Sequence, residues 1–474
     1  MNLTKEQEKI VCHDLDQGQK LKVIAFAGSG KTTTLYEYTK IRPHLRFLYV
    51  SFNKSTQLEA EKKFPGNVTC KTSHSLAYKD FGVKYRKKLV PGLKSNIVLD
   101  ALDLDTFEDA QFSLDTLLNY LVSSDDLLSK KHIPTIAWQF YKTKKKTMVD
   151  LVQLATTLWK LMTDINDDTI GMLHDGYLKL YQLSRPKLEF DCILLDEAQD
   201  TNPVVSDFLL SQPCAHILVG DPYQQIYAWR GAKDTMDKIP TAKVMYLTHS
   251  FRFGNNIATI ANLVLRIFKN ETKSLIGVKE RDAVEEVTGH YTVICRTNAG
   301  VFKEAARRYK NRDIGFVGGI EGYRFNDIVD TYYLFSKKKS NIKNPYIKSF
   351  DSYKDMKDFA KAVEDMEILS RCSIVDIYMD KIPGLVRDIT NKTVAPDEAE
   401  IILSTAHKSK GLEFDQVCLA DDYQNLLEND GSLVNQTKIN HEEINILYVA
   451  ITRARQRLEI TGDFKKFVHK ETLT

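Results

Sequence analysis

Little in this sequence points to a membrane, a disulfide framework or a structural metal. Its seven cysteines, Cys12, Cys70, Cys192, Cys214, Cys295, Cys372 and Cys418, are scattered, odd in number and without CxxC spacing. That pattern speaks for a reducing compartment and against a thiolate metal cluster. No apolar run nears the ~18 residues of a membrane span, and Met1 to Lys9 are polar and charged with no apolar signal core. The expectation is a soluble chain of the cytoplasm, or of the nucleus in a eukaryote, with no membrane partner. Net charge is scarce as well, +3 at pH 7 over 474 residues. Such a balance neither demands nor excludes nucleic acid, because a local basic groove can sit within it. Internal repeats and low-complexity tracts do not stand out. What remains is 43% hydrophobic and 27% charged, a composition of globular domains with sizeable cores, long enough for roughly three of them.

The densest chemical signal is near the start. Val23-Ile24-Ala25-Phe26 favours a strand, and Ala27-Gly28-Ser29-Gly30 is a loop of small residues. Lys31 and Thr32 follow, then a helix-compatible segment, Thr33 to Lys40. Strand, small-residue loop and helix start make a phosphate cradle, in which backbone N–H groups point inward and the helix end adds partial positive charge. Lys31 would reach the β- and γ-phosphates, and the Thr32 hydroxyl would ligate Mg²⁺. The first glycine of the G-x-x-x-x-G-K-[ST] pattern is Ala25 here.

Strand and helix signals alternate around this loop. Strands are expected at Arg46 to Ser51, Asn67 to Lys71, Cys192 to Leu195, His216 to Val219 and Val244 to Leu247. The alternation indicates a parallel α/β sheet whose ligands sit beyond the carboxyl ends of the strands. Between residues 80 and 185 strand signals vanish and helical periodicity takes over, through Phe112, Leu114, Leu117, Leu118, Leu121 and then Met148, Leu151, Leu154, Leu158, Leu161. This helical insertion carries the runs Lys84 to Lys88 and Lys142 to Lys146. Lysine runs are ordinarily solvated surface; contact with a phosphate backbone is the sharper alternative. After Arg252 a second α/β pattern begins, with a helix over 255–269 and strands at Tyr291 to Cys295, Ile401 to Ser404, Val417 to Ala420 and Leu458 to Thr461. A lysine-rich, mostly helical stretch over 337–396 interrupts it. The fold class expected is α/β: two parallel-sheet layers with helical insertions. The first layer takes 1–79 and 186–250 around the insertion 80–185. The second takes 251–336 and 397–474 around the insertion 337–396.

Four apolar residues ending in Asp196-Glu197 place carboxylates at a strand tip. Asp196 would hold Mg²⁺ and Glu197 would polarise an attacking water, completing a nucleoside-triphosphatase site. An arginine is needed for transition-state charge, and Arg252 and Arg453 are the candidates. Just past another strand tip, Tyr227, Trp229 and Arg230 combine rings with a cation, as single-strand stacking platforms do.

Taken in order, these segments resemble the motifs of superfamily 1 UvrD/Rep-type DNA helicases. The resemblance rests on Gln7, the 25–32 loop, Asp196-Glu197-Ala198-Gln199-Asp200, the segment Gly220 to Ala232, Ser404 to Phe414 and Glu442 to Arg455. Phe52-Asn53-Lys54-Ser55 and Ser250-Phe251-Arg252-Phe253-Gly254 most resemble the helicase part of the F-box DNA helicases; with Gln7 almost at the start, no F-box is expected ahead of it. The resemblance implies two RecA-like P-loop NTPase domains with ATP and Mg²⁺ between them. It implies that Ala27, Gly28, Ser29, Gly30, Lys31, Thr32 and Thr33 cradle the phosphates, that Gln7 reads the adenine edge and that Phe251 stacks on the base. Glu413 would contact the sugar, Gln224 would sense the γ-phosphate, and Arg252 and Arg453 would approach it from opposite sides. Phe52, Asn53, His74, Tyr227, Trp229, Arg230, Arg296, Asn298 and His407 would line a single-strand path.

The activity so implied is ATP-dependent 3′-to-5′ movement on single-stranded DNA with unwinding of duplex, in repair, recombination or replication. Single-stranded DNA and single/double-strand junctions would be the substrates, and recombination or replication proteins the partners. The rival is a translocase that strips recombinase or other proteins and unwinds weakly. The second insertion is short for the family, so the helical insertion at 80–185 would carry more of the duplex contact.

Overall fold

The computed structural model describes residues 3–51, 53–227, 236, 239, 242–362 and 365–473. The chain divides into two compact units. One comprises Met1–Ala25 and Gly30–Leu247, the other Phe26–Ser29 and Thr248–Thr474.

The first unit is built on six strands: β1 (Lys20–Ala25), β2 (Phe47–Ser51), β3 (Val68–Thr72), β4 (Cys192–Leu195), β5 (Ala215–Gly220) and β6 (Lys243–Leu247). They lie in the order β3-β2-β4-β5-β1-β6, and every neighbouring pair is parallel. β2, β4 and β5 are buried at every residue, as apolar strands covered on both faces must be. Because the strands run one way, their carboxyl ends share an edge. That edge receives the 26–30 loop after β1, Asn53 after β2, His74 after β3, Asp196 and Glu197 after β4, and Gln224 after β5.

The insertion within this unit is helical, as its periodicity predicts. The helix Phe107–Val122 buries Phe112, Leu114, Leu117 and Leu121, and Leu151–Thr163 buries Leu151, Ala155, Leu158 and Met162. The second helix excludes Met148, which the periodicity had included. The Asp150 carboxylate accepts from the Gln153 N–H and starts the helix at Leu151, an N-cap that overrides apolar spacing. Lys179 is fully buried here. Its ammonium donates to the carbonyls of Ser123 and Asp125 and lies 4.5 Å from the Tyr120 ring centroid. Burial lowers it to about 8, against the pull of Asp125.

The second unit begins with the short parallel pair β7 (His249–Ser250) and β8 (Ile276–Gly277). Its main sheet contains β9 (Ala283–Val284), β10 (Tyr291–Cys295), β11 (Ile314–Phe316), β12 (Ile401–Thr405), β13 (Phe414–Leu419) and β14 (Ala454–Glu459). The order is β11-β12-β10-β13-β14-β9, again all parallel. β13 and β14 begin three to four residues before the apolar runs at Val417 and Leu458 that announce them. Their first halves, Phe414-Asp415-Gln416 and Ala454-Arg455-Gln456-Arg457, carry outward-facing polar side chains that hide a strand from a hydrophobicity reading. Between β11 and β12, helices at Pro345–Ser349, Tyr353–Ala362 and Met366–Tyr378 close on a small core of Ile347, Phe350, Met356, Ile368 and Cys372. Among the described residues no helix is long and apolar enough to cross a membrane.

Candidate functional site

The loop after β1 is shaped for an anion. Gly28 and Gly30 adopt φ +73° and +77°, left-handed values that glycine takes without penalty. A Cβ on Gly28 would stand 2.7 Å from both the Arg252 Cβ and the Ser250 hydroxyl, so only glycine fits. Gly30 is the N-cap of the helix Lys31–Lys40 and offers no capping side chain, so the chain leaves the first-turn amides uncapped. The Ser29 hydroxyl is buried and has no hydrogen-bond partner among the described residues. Uncapped helix amides and an orphaned buried hydroxyl fit a phosphate chain. Gln7 donates from its amide to the Thr34 hydroxyl (3.1 Å) while its carbonyl closes a capping box with Thr4.

Facing the same helix start is a chain of buried polar groups. The Lys31 ammonium pairs with Glu197 at 2.5 Å. Burial works against the Lys31 charge, but Glu197, Asp196 and Asp221 together hold it above the ordinary lysine range. Asp196 is raised, first by burial and then by the neighbouring Glu197, and accepts from the Tyr49 hydroxyl at 2.6 Å. A carboxylate at a strand tip supplies the hard oxygen that Mg²⁺ takes. Glu197 itself adopts φ +50°, a strained value for a residue with a side chain. Its second oxygen accepts from the Gln199 amide at 2.7 Å. The Gln199 carbonyl accepts from the Asp221 N–H at 3.1 Å, and Asp221 accepts from the Gln224 amide at 2.7 Å. Hydrogen bonds thus run unbroken from Lys31 to Gln224. Gly220 is required for this, since a Cβ there would stand 2.3 Å from the Gln199 carbonyl oxygen.

In the second unit a separate cluster gathers Arg252, Glu413 and Arg453. Arg252 donates to Glu413 (2.8 Å) and to the Thr452 carbonyl (2.7 Å). Arg453 is 1% exposed and donates to the carbonyls of Val449 and Leu412 and to the Thr452 hydroxyl. Burial would raise Glu413, but Arg252, followed by Arg453 and Arg455, holds it below the usual carboxylate range. Phe251 is 39% exposed, and its N–H donates to the Gly28 carbonyl at 2.8 Å. Arg252 therefore belongs to this unit, with Arg453. Glu413 and Arg453 immediately precede β13 and β14, so they mark the amino edge of the second sheet.

Two family models divide the chain between them. "UvrD/REP helicase N-terminal domain" matches residues 55–238, and "UvrD-like helicase C-terminal domain" matches 325–463. The chain belongs to the UvrD/Rep-type helicase family. Among its relatives, "F-box DNA helicase 1" of Gallus gallus is 35% identical over 97% of this chain and 49% of its own length. "F-box DNA helicase protein 1" of Schizosaccharomyces pombe is 32% identical over 98% of this chain and 58% of its own. The chain thus spans about half the length of these two curated relatives. "Gabija protein GajB" of Bacillus cereus is 23% identical over 96% of this chain and 95% of its own length.

The residues expected on a UvrD/Rep-type single-strand path are distributed over both units. Asn53 is exposed and uses its side-chain oxygen to cap the helix Lys54–Lys63. His74 is paired with Asp175 at 3.0 Å and packs edge-on against His174 and Tyr177. Tyr227 follows Gln224 and is partly buried. Phe52, Trp229 and Arg230 lie outside the described residues. In the second unit Asn298 begins the helix Asn298–Arg308, and His407 lies on Ala406–Ser409 just past β12. The Arg296 guanidinium is held in a two-pronged pair with Glu443, both bonds 2.6 Å, and faces into the unit. Sequence reading gave no role to Tyr49, Gln199, Asp221 or Tyr448, whose hydroxyl accepts from the Ala27 N–H at 3.3 Å. Gln199, Asp221 and Tyr448 fall inside the family motifs, and that position was the available signal.

Proposed function

We propose that this chain is an ATP-dependent DNA helicase that moves 3′-to-5′ on single-stranded DNA and separates duplex ahead of it. The observation that carries the reading is the hydrogen-bond chain Lys31–Glu197–Gln199–Asp221–Gln224. It joins a phosphate-reading ammonium and a candidate base to the segment that leads into Tyr227, a candidate DNA contact. Lys31 and the uncapped helix amides bind the phosphates of ATP. Glu197, oriented by Lys31 on one oxygen and Gln199 on the other, takes the proton of the attacking water. Arg252 and Arg453 neutralise charge that develops on the transferred phosphoryl group. Thr32 and Asp196 are the residues that would hold Mg²⁺, which supplies Lewis-acid neutralisation of the phosphate oxygens. Asn53, His74, Tyr227, Asn298 and His407 contact the strand, and the ATP-dependent difference in their grip drives stepping.

The relatives' printed names, two of them DNA helicases, support DNA as the track. The test is unwinding of 3′-tailed, 5′-tailed and forked DNA with ATP and Mg²⁺. Strand separation from the 3′-tailed and forked substrates alone is expected. ATP turnover that single-stranded DNA fails to stimulate would overturn the reading.

A further inference from the structure

Tyr49 lies on β2 and is fully buried. Its ring belongs to the apolar layer that Val23, Leu35, Phe64, Cys192 and Leu194 also build, with the Phe64 ring centroid 4.9 Å away. Phenylalanine would serve that packing as well as tyrosine does. A hydroxyl placed there needs a reason, because a buried polar group without a partner costs free energy. The partner is Asp196, whose Oδ2 accepts from the hydroxyl at 2.6 Å.

The sheet register explains why a residue as long as tyrosine makes this bond. β2 and β4 run parallel, with Tyr49 beside Leu194 and Val50 beside Leu195. Asp196 comes two residues after Leu194, so it shares a face with Tyr49 and lies roughly 6.6 Å farther along the strand. A tyrosine leaning along the strand direction covers that span with its hydroxyl. Ser51 is nearer in register, but its hydroxyl donates to the Asn53 carbonyl at 3.2 Å. The other oxygen of Asp196, Oδ1, accepts from the Glu197 N–H at 2.9 Å. A donor on each oxygen fixes the tilt of the carboxylate plane. The Glu197 donor is backbone and comes with any sequence; the Tyr49 donor comes from the choice of side chain.

We infer that Tyr49 is a positioning residue that aims Asp196 and thereby favours Mg²⁺ over Ca²⁺ at this site. This rests on the proposed metal-holding role of Asp196 and adds what orients it. Mg²⁺ requires near-ideal octahedral oxygens at about 2.0–2.1 Å, whereas Ca²⁺ accepts more oxygens, at about 2.3–2.6 Å, with wide angular latitude. A carboxylate held in one plane serves the exacting ion and gives the tolerant one little. Freed from the hydroxyl, Asp196 keeps its charge, which both ions use, and loses the aim that Mg²⁺ needs. Hydrogen-bond partners behind a metal-holding group commonly carry about 10–100-fold of affinity, so the hydroxyl is large enough in effect to decide between ions.

The test is calorimetric titration of the full chain with the non-hydrolysable ATP analogue AMP-PNP in Mg²⁺, in Ca²⁺ and in EDTA. Wild type is compared with Tyr49→Phe, Phe64→Leu and Asp196→Asn. The gain in affinity on replacing EDTA by an ion reports the hold on that ion. Each gain is a ratio within one variant, so it does not depend on how much of that variant is folded. In Tyr49→Phe the Mg²⁺ gain is expected to fall about tenfold or more while the Ca²⁺ gain stays within about threefold. Phe64→Leu loosens the packing of the ring but keeps the hydroxyl, and should leave the Mg²⁺-over-Ca²⁺ preference at its wild-type value. Asp196→Asn should lose the Mg²⁺ gain. A wild-type Mg²⁺ gain in Tyr49→Phe, alongside its loss in Asp196→Asn, would overturn the inference alone. So would equal losses for the two ions, or a preference lost as fully in Phe64→Leu. A Mg²⁺ gain that survives Asp196→Asn would remove the proposed metal role of Asp196, and the role of Tyr49 with it.

Discussion

Gln199→Ala is the most informative perturbation of the ATP site, because Gln199 touches neither nucleotide nor DNA in the proposed chemistry yet lies in the middle of the chain that joins them. Its side chain is fully buried. Truncation removes a hold on Glu197, at 2.7 Å, and takes from the buried Asp221 N–H its acceptor at 3.1 Å. An unmet buried donor costs about 1–3 kcal/mol, so a modest loss of stability is expected. The larger effect is on rate. A general base contributes about 10²–10⁴-fold, and a carboxylate that loses its Gln199 hold should forfeit about one tenfold step of that. The assay is steady-state ATP turnover with and without single-stranded DNA. The expected result is kcat down about tenfold with the ATP KM within about threefold, and a weakened DNA stimulation. Gly220→Ala provides the control. It adds a methyl 2.3 Å from the Gln199 carbonyl oxygen, displaces the amide without deleting any polar group, and should move the same parameters the same way. Unchanged kcat and DNA stimulation in both variants would refute the reasoning.

Lys31→Ala should abolish ATP turnover and leave DNA affinity intact; retained DNA-stimulated hydrolysis would remove Lys31 from the phosphate site. Arg453→Lys keeps the charge but loses the planar fork that reaches Val449, Leu412 and Thr452. A drop of about 10³-fold or more in kcat, the usual effect of losing such an arginine, is expected in ATPase assays, with DNA binding unchanged. Asp115 in the helical insertion is raised to about 6 by burial, against a 2.9 Å hydrogen bond from Gln111. A folded-state pKa above the unfolded one favours the protonated fold, so its stabilisation is full below about pH 4 and lost as pH rises through about 6. Asp115→Asn should flatten that part of the stability–pH curve, worth at most about 3 kcal/mol, as read by urea unfolding at pH 4 and pH 7.

The site was legible wherever its parts are contiguous. The phosphate loop announces itself because a strand, two glycines and a helix start must follow one another to make it. Asp196 and Glu197 do so because an apolar run must end where the carboxylates begin. What hydrophobicity hides is polar strand, as in the first halves of β13 and β14. Pairing at long separation is hidden as well. Arg252 meets Glu413 across 161 residues, and nothing in either segment's local pattern names the other. Gln199 is the instructive case. Its neighbours in the motif point to catalysis, but its own role lies in what its two ends hold, and only a fold brings Asp221 to it.

The second sheet makes a connection that its residues do not suggest singly. β13 spans six residues, roughly 20 Å at ~3.3 Å each, between two differently occupied ends. At its start the Phe414 N–H is bonded to the Arg453 carbonyl, next to Glu413. Just past its finish Asp422 accepts from the N–H groups of Arg296 and Thr297 and from the Thr297 hydroxyl, at the root of the helix that opens with Asn298. β14 pairs with both halves of β13, with a register shift between Phe414 and Gln416, whereas β10 pairs with Val417, Cys418 and Leu419. β13 thus ties the residue that meets Arg252 to the turn that carries Asn298 through one strand of six residues.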